Sequence, residues 1–248
     1  MDRYYRPGTH IKQFTIIKML GQGRYGIAYL AEDSIGKKYV IKQLKQEMLP
    51  TTRSKLFYEQ EILSSLHSPS FPKFMGTFKN RDAEGYILEY MSGKTFDTIV
   101  KRDRYEFSKT EIYRIASQLL QIIEYLQASH IVHRDIRLPN VILRKTKDLA
   151  LIDFGLARYI DNNKYTCEED YWFLGDFLIR LYYTAYYTGD NRVPLPWYRE
   201  LSLTRNEEHF LKKLLGIGRS FRTIEEIKYE LNELKFSTYS PTSYMTFL

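Results

Sequence analysis

The chain has 248 residues, 44% of them hydrophobic and 15% aromatic, enough for a sizeable core and too many for a disordered segment. Its single cysteine, Cys167, excludes an internal disulfide and a cysteine-based zinc site and points to a reducing, cytoplasmic setting. The formal charge is 37 − 30 = +7, and residues 1–60 carry 11 Lys/Arg against 5 Asp/Glu, so +6 of that excess is local and suits a phosphate-bearing ligand as well as a nucleic acid.

The N-terminal MDRYYRPGTHIKQF has no apolar core, so no secretory signal is expected. Three short runs rich in β-branched and aromatic residues, 14–20, 27–33 and 37–44, predict antiparallel strands separated by GQGRYG and DSIGK turns. A helix is predicted over 53–66, with Leu56, Ile62, Leu63 and Leu66 on its apolar face. Two further strands fit 74–78 and 85–89.

After Met91-Ser92-Gly93 the pattern turns helical. Ser108-x-x-Glu111 is a capping box before a long amphipathic run, and Thr204-x-x-Glu207 and Thr223-x-x-Glu226 open two more helices. A small hairpin is predicted from 141–143 and 149–152. The apolar stretch 171–187 is broken by Asp176 and Arg180, so it reads as a buried helix and no membrane segment is expected. The fold class is therefore α+β and bilobal, a β-rich lobe over about 10–88, a hinge at 89–93, a helical lobe over 94–236 and a flexible tail at 237–248.

Three places carry candidate chemistry. Gly21-Gln22-Gly23-Arg24-Tyr25-Gly26 lies between two strands, where glycines let backbone amides approach a phosphate; a plain hairpin turn fits equally well. Lys42 ends an apolar YVI run, with Glu59 and Glu61 on the next helix as possible partners; a solvated edge lysine is the bland alternative. The ordered set His133-Arg134-Asp135-Ile136-Arg137-Leu138-Pro139-Asn140, followed one hairpin later by Asp153-Phe154-Gly155, supplies an acid, an amide and a second acid. One acid accepts a hydroxyl proton while amide and second acid hold Mg²⁺ through oxygens. Turn formation explains any one of these residues but not the ordered series.

Taken together, GQGRYGIA, YVIK, HRDIRLPN and DFG resemble, in order, the signatures of the protein kinases. Asp170-Tyr-Trp-Phe-Leu-Gly175 and Arg222 before the last helix extend the resemblance from about Leu20 to Leu234, with the flavour of compact bacterial, eukaryotic-like Ser/Thr kinases. It implies an ATP- and Mg²⁺- (or Mn²⁺-) dependent phosphotransferase acting on an unknown protein substrate. Leu20 and Ala28 would cover the adenine, with Gly21, Gln22, Gly23, Arg24, Tyr25 and Gly26 forming the phosphate loop. Leu88 would be the gatekeeper, and Glu89 and Met91 the hinge contacts. Lys42 would bind the α/β-phosphates and pair with Glu59, because Glu59 to Leu63 matches the family's E-x-x-x-L. Asp135 would be the catalytic base, Arg137 a γ-phosphate contact, Asn140 and Asp153 the metal ligands, and Asp170 the anchor of the catalytic loop.

The chain departs from that pattern in places. Val40 and Ala28 exchange the usual Ala and Val, Arg137 stands for the Lys of Ser/Thr kinases, and Pro139 sits one place late. Only 17 positions separate Asp153 from Asp170, with no Ala-Pro-Glu motif. Arg222 thereby loses its usual partner, and Glu168 or Glu169 is expected to replace it. Arg134 either reads a phosphate on Tyr165 or Thr166 or is structural. Other readings are a kinase-like enzyme with a small-molecule acceptor, a nucleotide-binding scaffold, and a nucleic-acid binder, for which no module is recognisable.

Overall fold

The computed structural model describes residues 4–23, 26–45, 58–80, 83–161, 163–186 and 195–239. In chain order these form β1 (His10–Ile11), β2 (Phe14–Gln22), β3 (Gly26–Glu32), β4 (Lys38–Leu44), α1 (58–65), β5 (Phe74–Lys79), β6 (Glu84–Glu89) and β7 (Lys94–Thr95). Then come α2 (Phe96–Lys101), α3 (Lys109–Ala128), β8 (Ile131–Val132), β9 (Val141–Leu143), β10 (Leu149–Leu151), β11 (Arg158–Tyr159), α4 (Glu168–Tyr182), α5 (Trp197–Glu200), α6 (Arg205–Leu214) and α7 (Ile224–Tyr239). They group into two compact units, Met1–Gly93 with Ala150–Arg158, and Lys94–Leu149 with Tyr159–Leu248.

The first unit is built on a six-stranded antiparallel sheet, β1-β2-β3-β4-β6-β5. Alternation decides its faces. Tyr29, Ile41 and Ile87 turn into a core shared with Phe14, Ile16 and Phe78, whereas Ala28, Lys42 and Tyr86, opposed across β3, β4 and β6, point to the other side. The DSIGK turn is set by Asp33, whose Oδ1 accepts the amides of Ile35 (3.1 Å) and Lys37 (2.9 Å), and by Gly36 at φ 79°.

The second unit is mainly helical. Ser108 and Glu111 form the predicted capping box of α3, and Thr204 and Glu207 that of α6. Helix α3 buries Ile112, Ile115, Leu119, Ile122 and Leu126 on one stripe, and packs with α4 and α7. Gly175 lets α4 approach α6 closely, since a Cβ there would lie 3.0 Å from Leu214 Cβ.

The α+β class thus stands. Helix α1 occupies 58–65 of the predicted 53–66; positions 53–57, with Leu56, lie outside the described residues. Helix α7 reaches Tyr239, so the predicted tail from 237 begins as helix. Helix α2 was not anticipated: its six residues, FDTIVK, are too few to show a period, and its start rests on Thr95 Oγ1 accepting the Thr98 amide at 3.2 Å. Among the described residues no helix is long and apolar enough to cross a membrane.

Candidate active site

In the first unit, three side chains meet around Lys42. Strand β4 delivers its ammonium to the face away from the core, where Nζ donates to Glu59 Oε1 at 2.9 Å and to Asp153 Oδ1 at 2.8 Å. Tyr86, directly opposite Lys42 on β6, donates its hydroxyl to Glu59 Oε2 and places its ring centroid 5.5 Å from the ammonium. Glu59 is buried while Glu61 is exposed, which decides between the two candidate partners. Burial works against the Lys42 charge, but Asp153 and Glu59 outweigh it and hold the lysine well above its ordinary range. Asp153 itself sits at φ 69°, ψ 71°, a left-handed conformation that costs about 1–2 kcal/mol for most residues and that Asp tolerates better than most. Phe154 behind it is fully buried, edge-on to Phe71.

The glycines of the first turn divide by role. Among the described residues, a Cβ on Gly21 or Gly23 would meet no atom within 4 Å, so packing against them does not demand glycine there. At Gly26 a Cβ would lie 2.6 Å from the Gln43 carbonyl, so β3–β4 packing demands this one. Gly23 closes the turn through its amide to Gly26 O at 2.9 Å. Arg24 and Tyr25 lie outside the described residues. Leu20 is exposed, Ala28 lies opposite Lys42, and Leu88 lies opposite Val40 on the same face. The Glu89 amide donates to Lys73 O at 2.9 Å, and Met91 is buried.

In the second unit the loop after β8 is tied down at three points. The buried Asp170 accepts the amides of His133 (2.8 Å) and Arg134 (2.7 Å). Arg134, at φ 67°, turns the chain so that the next residue, Asp135, projects its carboxylate beside Arg137 and Asn140. Arg137 grips both Asp135 oxygens, Nε on Oδ1 and Nη2 on Oδ2 at 2.9 Å. Asn140 Nδ2 donates to Asp135 Oδ2 at 2.6 Å and to its carbonyl at 3.0 Å. Pro139 lies in the 3-10 turn Leu138–Asn140, where its fixed φ suits the first turn and its missing donor is not needed. Burial pushes the Asp170 carboxyl up to about 7, against the two amides that favour its charge.

The expected pairing of Arg222 is corrected. Glu169 binds Arg134 instead, Oε2 to Nε at 2.8 Å, and Arg222 is exposed, with its own amide on Glu226 Oε2 at 3.1 Å. The guanidinium of Arg134 also stacks 4.6 Å from the Tyr165 ring centroid.

A family model described as the protein kinase domain matches residues 14–188. The chain belongs to the protein kinase domain family. A probable serine/threonine-protein kinase of Bacillus subtilis, YbdM, is 33% identical over 240 residues, covering 93% of each chain. The carbon catabolite-derepressing protein kinase of Saccharomyces cerevisiae is 30% identical over 161 residues, 64% of this chain but only 25% of that protein. Calcium-dependent protein kinase 9 of Arabidopsis thaliana is 29% identical over 159 residues, 61% of this chain and 29% of that one.

Asn140 and Asp153 each carry an oxygen donor of the hard kind that Mg²⁺ takes. The nitrogen of Asn140 is committed to Asp135, which leaves the amide oxygen as its donor end. Among the described residues no group of three or more His, Cys, Asp or Glu could hold a metal by itself. Sequence reasoning missed Tyr86, because none of the kinase motifs includes it; the register that pairs it with Lys42 was the signal available.

Proposed function

We propose that the chain is a serine/threonine protein kinase that uses ATP and Mg²⁺ (or Mn²⁺) on a cytoplasmic protein substrate. The observation that carries the reading is the Lys42–Glu59 pair, a lysine fixed in place by a buried acid within a family that transfers phosphate. In this reading Lys42 holds the α/β-phosphates, the backbone at Gly21 and Gly23 lies along them, and Ala28 and Leu88 bound the adenine. Asp135 accepts the proton of the acceptor hydroxyl as its oxygen bonds to the γ-phosphorus and the bond to the departing ADP oxygen breaks. Arg137 stabilises charge on the phosphoryl oxygens, and Asn140 and Asp153 would hold the metal, which when bound would neutralise phosphate charge. Positioning and electrostatics supply the rate.

The name of the Bacillus relative supports the hydroxyl specificity, since it spans 93% of that protein. The test is incubation of the purified chain with γ-labelled ATP, Mg²⁺ or Mn²⁺ and a generic basic protein, then phosphoamino-acid analysis. Phosphoserine or phosphothreonine is expected, and Asp135→Asn or Asp153→Asn should each abolish it. Nucleotide binding without transfer would establish a scaffold instead.

A further inference from the structure

Glu59 has two carboxylate oxygens and they are held by different donors. Lys42 takes Oε1 and the Tyr86 hydroxyl takes Oε2. The two donors are not equivalent. Lys42 is a point charge on a flexible stem and is already shared, since Asp153 Oδ1 stands 2.8 Å from the same nitrogen. Tyr86 has only two side-chain torsions, is 5% exposed, and stacks on Phe74 with ring centroids 6.3 Å apart. Its hydroxyl stays a donor at all working pH, because burial and then the Glu59 charge push its ionisation well up.

We propose that Tyr86 is a positioning residue for nucleotide binding: its hydroxyl fixes the Glu59 carboxylate independently of Lys42, so that Lys42 finds its partner in place when it turns to a phosphate. The inference rests on the assignment of Lys42 as the phosphate lysine. The sheet builds this device directly, since β4 and β6 place Lys42 and Tyr86 opposite each other as a two-pronged donor towards a single acid. Ring packing alone would need the aromatic body but not its oxygen, so the hydroxyl is the part that separates the two roles.

The experiment compares full-length wild type, Tyr86→Phe, Phe74→Leu and the double variant Glu59→Gln/Tyr86→Phe with Glu59→Gln. Calorimetric Kd for Mg-ATP is measured below the melting range of every variant, with transfer kinetics beside it. Tyr86→Phe should weaken Mg-ATP binding and raise the ATP KM about tenfold, while the KM for the basic protein stays put. Phe74→Leu, which loosens packing and keeps the hydroxyl, should leave the Mg-ATP Kd within twofold. In the Glu59→Gln background, Tyr86→Phe should add nothing. A Tyr86→Phe Kd within twofold of wild type overturns the proposal and leaves the kinase reading standing. An equal rise in Phe74→Leu overturns it in favour of packing. A wild type that binds no nucleotide overturns the assignment of Lys42 and the proposal with it.

Discussion

Glu169 Oε2 lies 2.8 Å from Arg134 Nε, at the residue immediately before Asp135. The adjacent Asp170 holds the amides of His133 and Arg134, so two successive acids at the start of α4 restrain the loop that carries Asp135. Both partners in the ion pair are largely shielded, with side-chain exposures of 27% and 30%. A phosphate on Tyr165 or Thr166 would therefore meet an arginine already matched by a carboxylate of its own chain. Phosphatase treatment of the purified protein is expected to leave its transfer rate within twofold. Glu169→Gln should lower that rate about tenfold, the equivalent of one charge-assisted hydrogen bond of ~1.4 kcal/mol. A collapse of activity on dephosphorylation alone would show that Glu169 does not serve in this way.

Gly85 and the glycines of the first turn should respond in opposite ways to alanine. At Gly85 a Cβ would fall 2.1 Å from Lys42 O and 2.7 Å from the Phe78 ring, and neither the β4 backbone nor a buried ring yields without disturbing the sheet. Gly85→Ala is expected to destabilise the fold by about 3 kcal/mol or more, read as a fall in the urea midpoint. Gly21→Ala and Gly23→Ala meet no atom of the described residues and should leave the midpoint unchanged while raising the ATP KM several-fold.

What could be read from the sequence follows from how local each cause is. The strands around Lys42 and the capping boxes at Ser108 and Thr204 are written in runs of a few positions, and each appears where its pattern placed it. Tyr86 and Glu169 were not assigned correctly because their partners, Glu59 and Arg134, lie 27 and 35 positions away. No spacing rule joins them; only sheet register and the path of the shortened segment do. The left-handed angles of Arg134 and Asp153 are equally invisible in residue type, being set by the bonds around them.

Glu207 does more than complete the α6 cap. Only 1% exposed, it accepts from Lys109 Nζ (2.6 Å), the Tyr113 hydroxyl (2.6 Å), the Tyr182 hydroxyl (3.1 Å) and the Thr204 amide (2.6 Å), and so joins α3, α4 and α6. Burial opposes its charge, but Lys109, Tyr113 and Thr204 prevail and hold the carboxyl below its ordinary value of 4.5. A folded-state value lower than the unfolded one means that the stabilisation is present in full above about pH 4.5 and is lost as pH falls through the lower folded value. Glu207→Gln keeps the shape but removes the charge that all four donors face, and should cost about 2–4 kcal/mol at pH 7. Urea unfolding of both proteins should show that gap flat from pH 7 to about 5 and narrowing below 4.5. A gap that stays constant into acid would mean that the network is held by shape and neutral hydrogen bonds rather than by the carboxylate charge.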